Sequence, residues 1–435
     1  MANSVRVKEV TVIKPSEPTP SRVLSLSALD SQLFLRFTVE YLFVFKACPG
    51  LEQSVITARV KAALAKILVP YYPLAGRVRA KLDGSSLEVV CRAQGAVFIE
   101  AVSDHTINDF DKAPRYVTQW RKLLSLSVTD VLKGAPPLVL QITWLRGGDA
   151  TLGVGLNHSV CDGIGTAEFL NSFAELATSR NRVADLKPKP IWDRHLFDPT
   201  KSSRCYSATR LGFNRVPDLC GFTSRFSKER LTPTSINFDK GWLNELKKLA
   251  LSTSTPIGLT YTSYEVLSAH VWRSWARALN LPSNQILKLL FSINIRNRVK
   301  PSVPSGYYGN AFVLGCAQTT VKDLAEKGLG YATMLIKRAI ERVGNEYVRS
   351  VVESVSQSRA CPDSVGVLIM SQWSRLGLER VDFGMGKPVH VGPICCDRYC
   401  LILPVYNQPD AVKVTVAVPA SVVDRYEYIL KSPCS

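Results

Sequence analysis

Residues 151–170 read TLGVGLNHSVCDGIGTAEFL, in which an apolar run meets a histidine and then a glycine-containing turn. The run over 150–156 is short and apolar, which predicts a buried strand. Apolar residues at spacings of three and four over 164–178 predict an amphipathic helix. The turn between them carries His158 and Asp162, and such junctions often hold functional side chains. The stretch therefore predicts an α/β unit whose turn holds the candidate site.

Patterns typical of strands and patterns typical of helices recur along the chain. Short apolar or alternating runs predict strands at 5–13, 87–91, 97–102, 138–144, 287–295, 366–371 and 411–418. Helical spacing predicts helices at 53–68, 240–251, 263–279 and 329–346, with a last one from 421. Residues 181–225 are rich in Pro, Asp, Arg and Ser and lack a period. We therefore predict two mixed α/β halves, domain 1–180 and domain 226–435, joined by a crossover linker at 181–225.

The composition is that of a folded, basic chain. Its 435 residues are 46% hydrophobic, too apolar for a disordered chain, and the length allows two or three domains of about 100 to 200 residues. Fifty-four Lys and Arg against 36 Asp and Glu give a formal net charge of +18. The basic residues are scattered, and no nucleic-acid motif is present. A small anionic substrate is therefore favoured over a polymer, with simple solubility charge as the alternative.

The sequence predicts neither a membrane span nor a secretory leader. The most apolar stretch, 37–47, is interrupted by Glu40 and Lys46 and is shorter than the roughly 18 residues that a span needs. The N-terminal region lacks the apolar core of a signal peptide. The eleven cysteines include no C-x-x-C pair, so we expect reduced, packed thiols and no metal site. A soluble, cytoplasmic protein is the expectation.

Common catalytic motifs are absent from the sequence. It contains no G-x-S-x-G elbow, no Walker A loop, no G-x-G-x-x-G and no H-E-x-x-H. Serine hydrolases of that type, P-loop enzymes, dinucleotide-binding dehydrogenases and zincins are thereby disfavoured. The remaining possibility is catalysis by a single general base. Histidine is the side chain best suited to take a proton near neutral pH.

Only five histidines are present, so each can be weighed. His158 and His105 both stand in H-x-x-x-D patterns, so the bare pattern is weak support. His105 lies in the polar stretch SDHTINDF and is predicted to be a surface loop residue. His158 follows the apolar strand directly, and we predict that it is the functional one. The other three, His195, His270 and His390, are expected to be packing residues.

Two motifs carry a family resemblance. HSVCDGIG at 158–165 and DFGMG at 382–386 resemble the paired signature of the BAHD family of plant acyl-CoA-dependent acyltransferases. VPYYPLAGR, YEVLSAHVWR, NIRNRVKPSVPSGYYGN and SQWSRLGLERVDFGMG also occur in the order typical of the family, so the resemblance covers essentially the whole chain. Within the family, the sequence looks closest to the branch that moves hydroxycinnamoyl or benzoyl groups from CoA onto alcohols.

The resemblance implies both a fold and a reaction. The fold would be two chloramphenicol-acetyltransferase-like α/β domains, with mixed sheets flanked by helices and an active-site channel between them. His158 would act as general base in direct transfer within a ternary complex. The partners would be an acyl-CoA co-substrate and a small-molecule alcohol. No other cofactor, no nucleic acid and no membrane would be involved, and the protein would be a monomer.

The resemblance also gives roles to further residues. Ser371 and Trp373 would offer donors to the oxyanion or the substrate, with packing as the alternative. Asp162 would pair with an arginine and support the turn that carries His158. Asp382 would be a structural anchor, with Arg273 or an arginine of the NIRNR run as its partner.

A CoA-phosphate site is also predicted. The N-terminus of the helix at 263–279 has Ser/Thr residues that could bind phosphate or simply cap the helix. These residues are Thr260, Thr262 and Ser263.

Several alternatives stay open at this point. Met385 stands where the family usually has Trp, and Asn294 stands where many members have Asp. Cys161 and Ser159 beside His158 allow a covalent mechanism. N-acylation, transfer of aliphatic acyl groups, and a catalytically weak relative that acts as a binder are also compatible with the sequence. A nucleic-acid binder is supported by charge alone.

Overall fold

A computed structural model of the chain describes residues 4–82, 84, 86–126, 131–178, 183–199, 212–252, 259–357, 361–397 and 399–432. Within them the backbone forms fifteen strands and nine α-helices. The strands are β1 (Val5–Ile13), β2 (Arg22–Ser25), β3 (Thr38–Phe45), β4 (Arg77–Ala80), β5 (Leu87–Cys91), β6 (Ala96–Ser103), β7 (Leu138–Trp144), β8 (Ala150–Asn157), β9 (Leu231–Phe238), β10 (Ile286–Asn294), β11 (Phe312–Thr320), β12 (Val367–Gln372), β13 (His390–Pro393), β14 (Cys400–Val405) and β15 (Gln408–Pro419). The helices are α1 (Gln53–Ile67), α2 (Gly163–Thr178), α3 (Phe222–Lys228), α4 (Lys240–Leu251), α5 (Ser263–Leu279), α6 (Val321–Glu326), α7 (Leu329–Glu341), α8 (Asn345–Gln357) and α9 (Val423–Leu430).

The first sheet has six strands in the order β1-β6-β7-β8-β3-β13. β6 and β7 are parallel and the other neighbours antiparallel, so the sheet is mixed. β7 and β8 are buried along their whole length, which requires cover on both faces. Gly153 in β8 permits part of this cover, because a Cβ there would lie 2.3 Å from the carbonyl oxygen of Leu123. A small separate sheet, β2-β5-β4, completes the strands of this part of the chain.

The second sheet also has six strands, in the order β11-β10-β12-β14-β15-β9. β12 runs parallel to both β10 and β14, and the remaining pairs are antiparallel. α5 packs against α4, α7 and α9 and is buried on nearly all sides. Thr262 and Glu265 form a capping box at its N-terminus, and Asn280 ends it in the left-handed conformation. The second core therefore surrounds one long central helix.

One segment from late in the chain crosses to the first sheet. β13 pairs with β3 in the register His390↔Val44 to Pro393↔Tyr41. Phe383, just before it, packs with its ring 6.5 Å from that of Phe45 and belongs to the first core. The domain boundaries at 180 and 226 remain a prediction. The DFGMG motif, although it lies in the predicted C-terminal domain, packs on the first sheet.

The prediction of two mixed sheets flanked by helices is confirmed, and most predicted elements are present within two residues of their predicted ends. The single helix expected at 329–346 is wrong: the structure has α7 and α8, separated around Gly344. Seven strands and two short helices have no counterpart among the predicted elements, namely β2, β3, β4, β9, β11, β13, β14, α3 and α6. β1 is more exposed than its alternation suggested, since Val7, Val10 and Val12 are all exposed. No helix in the described residues has the length and apolarity to cross a membrane.

The predicted linker is only partly described. Residues 179–182 and 200–211 lie outside the described part of the chain. The segment 183–199 contains short 3-10 turns and forms a bridge from Ile191 to Tyr307. It also buries Arg194, which is 2% exposed. This part of the linker is therefore packed into the protein.

Candidate active site

The turn at residues 157–165, which we call the base turn, joins β8 to α2. The His158 amide donates to the carbonyl of Phe37 at 2.9 Å, which ties the turn to the chain just before β3. The Asn157 side chain accepts a hydrogen bond from the Ser159 amide at 3.1 Å. The backbone that carries His158 is thus fixed on both sides of the residue.

Glycine is needed at one position of the base turn. A Cβ on Gly165 would lie 2.0 Å from the carbonyl oxygen of Tyr308, a contact that no side chain could make. The start of α2 therefore packs directly on the backbone of the loop between β10 and β11. This close approach brings His158 next to the second sheet.

Asp162 fixes the base turn through one local and two distant contacts. Its Oδ1 accepts the Gly165 amide at 2.8 Å, which caps α2. Arg296 donates to both carboxylate oxygens at 2.8 and 2.9 Å, and the Ala311 amide donates at 3.1 Å. Arg296 also donates to the carbonyl of Gly309, so it binds both the base turn and the loop between β10 and β11. The arginine partner expected for Asp162 is therefore present.

The His158 ring lies between two aromatic residues and one amide. Its centroid is 5.4 Å from that of Phe37 and 5.7 Å from that of Phe312. Its Nδ1 lies 3.1 Å from Oδ1 of Asn310. The histidine comes from the base turn, and two of these partners come from the segment that begins β11.

The hydrogen bonds of Asn310 determine which ring nitrogen of His158 is free. The Asn310 Nδ2 donates to Asp30 at 2.8 Å and to the carbonyl of His158 at 2.7 Å, so both amide protons are used. The Asn310 oxygen must then face the ring, and an oxygen can only accept. Nδ1 of His158 therefore carries the proton. Its Nε2 has the lone pair that a general base requires.

Burial keeps the His158 ring neutral. It lowers the pKa of His158 below the ordinary value of 6.5, since a charged imidazolium is disfavoured away from water. The Asp162 carboxylate and the Asn310 amide act in the opposite direction without cancelling this effect on the pKa. At neutral pH the ring is therefore in its proton-accepting form.

His158 lines a cavity of about 960 Å³ between the two sheets. On one side the cavity is lined by Phe37, Val39 and Tyr41 of the first half. On the other side it is lined by residues of β10, β12, α3 and α5 in the second half. The lining is mostly apolar, as is typical of pockets that bind organic ligands. Its far part includes Phe222, Phe226 and Trp275, whose rings lie 4.1 to 6.4 Å apart.

Ser371 and Trp373 both line this cavity, at the end of β12. The Trp373 ring packs on Tyr41 with centroids 4.7 Å apart, and its amide donates to the carbonyl of Ile402 at 2.8 Å. The structure thus brings the two predicted donors into the same cavity as His158. Their role toward an oxyanion remains a prediction.

The geometry disfavours a covalent mechanism through Ser159 or Cys161. Ser159 is buried, and its hydroxyl donates to the carbonyl of Leu35 at 3.3 Å. Cys161 is 1% exposed, and burial raises the pKa of its thiol far above the ordinary value, so it has no thiolate character. Neither residue is among the described residues that line the cavity. The nine cysteines in the described part of the chain are free thiols.

Asp382 is anchored differently from the expectation. Its Oδ1 accepts the amides of Gly384 and Gly386 at 2.7 and 2.9 Å, which closes the DFGMG turn on itself. The expected arginine partners are wrong. Arg273 donates to the carbonyls of Leu324 and Ala325, and the arginines of the NIRNR run are used elsewhere.

The DFGMG residues support the first core. Phe383 packs edge-on against Phe173 with centroids 4.7 Å apart, and Met385 is 7% exposed in the same core. None of the five residues is among the described residues that line the cavity. Asn294, the other departure from the family pattern, lines the cavity and accepts the Arg296 amide at 3.0 Å.

The helix end predicted to bind CoA phosphates is already occupied. Thr262 Oγ1 accepts the Glu265 amide at 3.2 Å, and the Glu265 carboxylate accepts the Thr262 amide at 2.7 Å. This arrangement corresponds to the capping alternative and puts a negative charge where a phosphate would bind. Thr260 and Ser263 lie outside the set of described cavity-lining residues as well. The phosphate assignment remains a prediction, and the Glu265 carboxylate counts against it.

Of the other histidines, His105, His270 and His390 have structural surroundings, whereas His195 is exposed, so its prediction as a packing residue is wrong. His105 is 4% exposed and bonds to the Ser103 hydroxyl at 2.6 Å, so the surface-loop prediction is wrong. The His105 ring centroid lies 6.1 Å from that of the buried Phe110. Burial lowers the pKa of His270 to about 4 and the pKa of His390 to about 3, so both rings are neutral packing residues.

Sequence reasoning missed three residues that support the base turn, two by direct contact (Asn310 and Arg194) and one, Asp30, through its bonds to those two. Asn310 lies in the YYGN part of a family motif, but nothing in the pattern gave it a role. Asp30 follows Ser27 in an S-x-x-D pattern that predicts only a local cap. Arg194 lies in the aperiodic linker. These residues meet at His158 only through contacts across more than 100 residues, which local patterns do not encode.

The fold matches that of a solved enzyme structure, and the sequence matches those of named relatives. The solved structure of vinorine synthase superposes with a TM-score of 0.76 over 97% of this chain and 96% of that one, at 19% identity. In sequence, the chain is 33% identical over 434 residues to taxadien-5-alpha-ol O-acetyltransferase of Taxus chinensis, covering 96% of this chain and 94% of the relative. It is 32% identical to omega-hydroxypalmitate O-feruloyl transferase of Arabidopsis thaliana, covering 97% of this chain and 92% of that relative.

The two mixed sheets with the cavity between them define the fold class, which is that of vinorine synthase. The model of the Transferase family matches residues 3–427. The chain therefore belongs to this family, the BAHD acyl-CoA-dependent acyltransferases, and it is an acyltransferase enzyme.

Proposed function

We propose that the protein transfers a benzoyl or hydroxycinnamoyl group from CoA to the hydroxyl of a small-molecule alcohol, with His158 as general base. One observation carries this proposal. The Nε2 lone pair of His158 is left free because Asn310 holds the proton on Nδ1. The ring also borders a cavity with room for two organic groups.

The chemistry follows from a single base. Nε2 of His158 takes the proton of the acceptor hydroxyl as its oxygen attacks the thioester carbonyl. The tetrahedral intermediate carries an oxyanion, for which the Ser371 hydroxyl and the Trp373 indole N–H are the candidate donors. Collapse of the intermediate breaks the C–S bond, and the imidazolium returns the proton to the CoA thiolate. No cofactor beyond the acyl-CoA co-substrate is needed.

The lining of the cavity supports an aromatic acyl group. Rings border it near His158, at Phe37 and Phe312, and at its far part, at Phe226 and Trp275. Aromatic substrates gain by packing on such rings at centroid distances of about 4.5 to 7 Å. The relative named for feruloyl transfer agrees with this choice, whereas the relative named for acetyl transfer favours a small acyl group. The acyl group is therefore the part of the proposal that most needs a test.

The proposal also covers the cellular location, oligomeric state and partners of the enzyme. The net charge of +18 suits a substrate whose CoA part carries several negative charges. We place the enzyme in the cytoplasm as a monomer, with acyl-CoA and an alcohol as its only partners.

The test is a substrate panel. Purified protein is incubated with benzoyl-, coumaroyl-, feruloyl- and acetyl-CoA, each with a set of alcohols and matched amines, and products are identified by mass spectrometry. We expect ester products, with kcat/KM at least about 10-fold higher for the aromatic donors than for acetyl-CoA, because a small acyl group leaves the apolar cavity unfilled. Faster turnover with acetyl-CoA would overturn the choice of acyl group. Amide products alone would overturn O-acylation.

A further inference from the structure

We propose that Arg194 is a positioning residue for the base, which acts through Asp30 and Asn310 to hold the His158 ring in its reactive orientation. The proposal rests on the proposed function, because it assumes that His158 is the base. It assigns a task to a residue of the crossover linker that lies outside the cavity.

The Arg194 guanidinium is fixed by contacts from several segments. One nitrogen donates to Oδ1 of Asp30 at 2.8 Å, and another donates to the carbonyl of Val160 in the base turn at 2.8 Å. The guanidinium also lies over the rings of Trp192, Tyr307 and Tyr308, 4.2, 5.4 and 5.0 Å from their centroids. Arg194 and Asp30 are 2% and 0% exposed at their side chains, so this is a buried ion pair.

Asp30 transmits this position to Asn310. Its Oδ1 accepts the Asn310 backbone amide at 2.9 Å and the Asn310 side-chain amide at 2.8 Å, in addition to Arg194. Its Oδ2 accepts the amide and hydroxyl of Ser27. Every bond that Asp30 accepts therefore helps to fix one carboxylate orientation. That orientation makes Asn310 turn its oxygen toward His158.

Three carboxylates lie close to the base turn. Asp30 and Asp162 are each paired with an arginine, Arg194 or Arg296. The third, Glu168 of α2, has its pKa raised by burial and interacts with the Arg296 and Asp162 charges. The other titratable groups packed there, namely Cys161, Tyr307 and Tyr308, stay neutral because burial raises the pKa of each. Removal of one member of the Arg194 pair therefore leaves one unbalanced charge near the ring.

Two substitutions should shift the base in opposite directions. Arg194→Met leaves the Asp30 carboxylate unpaired, which favours the imidazolium and raises the pH at which kcat/KM reaches half its plateau. Asp30→Asn leaves the Arg194 cation unpaired and lowers that pH. We expect a shift of about one pH unit in each case. A purely structural role for Arg194 would lower the amount of folded enzyme without moving the profile.

Arg194→Lys separates orientation from charge. Lysine keeps the positive charge, so the pH profile should stay within about 0.3 units of the wild type. It lacks the planar fork that reaches Asp30 and the Val160 carbonyl together, so the turn is held less firmly. We expect kcat to fall about 10-fold with KM changed less than about 2-fold, because the reacting atoms are displaced while the cavity is unchanged.

The experiment measures kcat/KM from pH 5 to 9 for wild type, the three single variants and the double variant Asp30→Asn/Arg194→Met. The double variant restores charge balance without the ion pair, so its profile should return to that of the wild type. If Arg194→Met alone does not fold, the shift between Asp30→Asn and the double variant carries the test. Arg273→Met is the matched control, a buried arginine that donates to the Leu324 and Ala325 carbonyls, and its profile should not move.

The outcomes distinguish the two proposals. Opposite shifts in Arg194→Met and Asp30→Asn, with the double variant near the wild type, support the role of Arg194. If the pH at which kcat/KM reaches half its plateau is the same in folded Arg194→Met and Asp30→Asn as in the wild type, the role of Arg194 is overturned. The proposed function is overturned instead if the wild type shows no acyl transfer, or if the fall of its kcat/KM at low pH does not depend on His158.

Discussion

The base turn and the DFGMG turn use the same local device. In the base turn, Asp162 accepts the amide of Gly165, three residues later. In the DFGMG turn, Asp382 accepts the amides of Gly384 and Gly386, two and four residues later. In both turns an aspartate precedes a glycine and closes a short loop. The local hydrogen bonds of the two turns therefore do not distinguish them.

Their distant contacts separate them. The Asp162 carboxylate also binds Arg296 and the Ala311 amide, which belong to the segment between β10 and β11 of the second sheet. Among the described residues, the hydrogen bonds of Asp382 remain within its own turn. The base turn borders the cavity, whereas the DFGMG turn packs Phe383 into the first core. One turn joins the two halves of the site, and the other supports the sheet behind it.

His158→Ala should have the largest effect on activity, and it tests whether the base turn is the catalytic one. The substitution removes the proton acceptor, so kcat should fall by about 10² to 10⁴-fold. The His158 side chain makes its polar contact with Asn310 at the cavity, where water can replace it. The melting temperature should therefore stay close to that of the wild type. Near-normal turnover in a folded His158→Ala protein would contradict the assignment.

Arg296→Met should affect stability and activity together. It leaves the Asp162 carboxylate, which is 5% exposed, without its partner. Breaking such a buried pair costs about 3 kcal/mol in the free energy of unfolding, measured by urea denaturation. The base turn would also shift relative to β11, and kcat should fall about 10 to 100-fold.

The double variant Asp162→Asn/Arg296→Met is the control for this prediction. It removes both charges, so its free energy of unfolding should be closer to that of the wild type than that of Arg296→Met. Loss of stability without loss of activity in Arg296→Met would show that the connection to the second sheet does not position the base.

The local parts of this site could be predicted, and the distant ones could not. β8, the base turn and α2 lie within 30 residues, so periodicity and turn chemistry describe them. β3 was missed because its apolar run contains Glu40, whose charge is balanced by Arg121 at 2.8 Å, a partner 81 residues away. β13 crosses to the first sheet, and no local pattern encodes that pairing. Arg194 and Asp30 likewise meet across 164 residues.

The wrong prediction for His105 also shows that local sequence does not determine burial. Its polar neighbours predicted exposure, yet the ring is buried because Ser103 supplies a hydrogen bond and Phe110 packs beside it. Whether a histidine in the H-x-x-x-D pattern can act as the base that we propose is therefore decided by what surrounds it in the fold. For His158 the deciding neighbour is Asn310, which is 152 residues away.

Asp382→Ala should have the smallest effect, and it should fall on stability alone. The substitution removes two hydrogen bonds to the amides of Gly384 and Gly386, which costs about 1 to 2 kcal/mol in the free energy of unfolding. The two glycines have φ values of +89° and +82°, so the turn retains its intrinsic conformational preference and Phe383 can stay in the core. Because the turn does not border the cavity, kcat/KM per folded molecule should change less than about 2-fold. A loss of activity as large as that of Arg296→Met, in a protein that remains folded, would mean that the DFGMG turn positions the base as the base turn does, and the distinction between the two turns would fail.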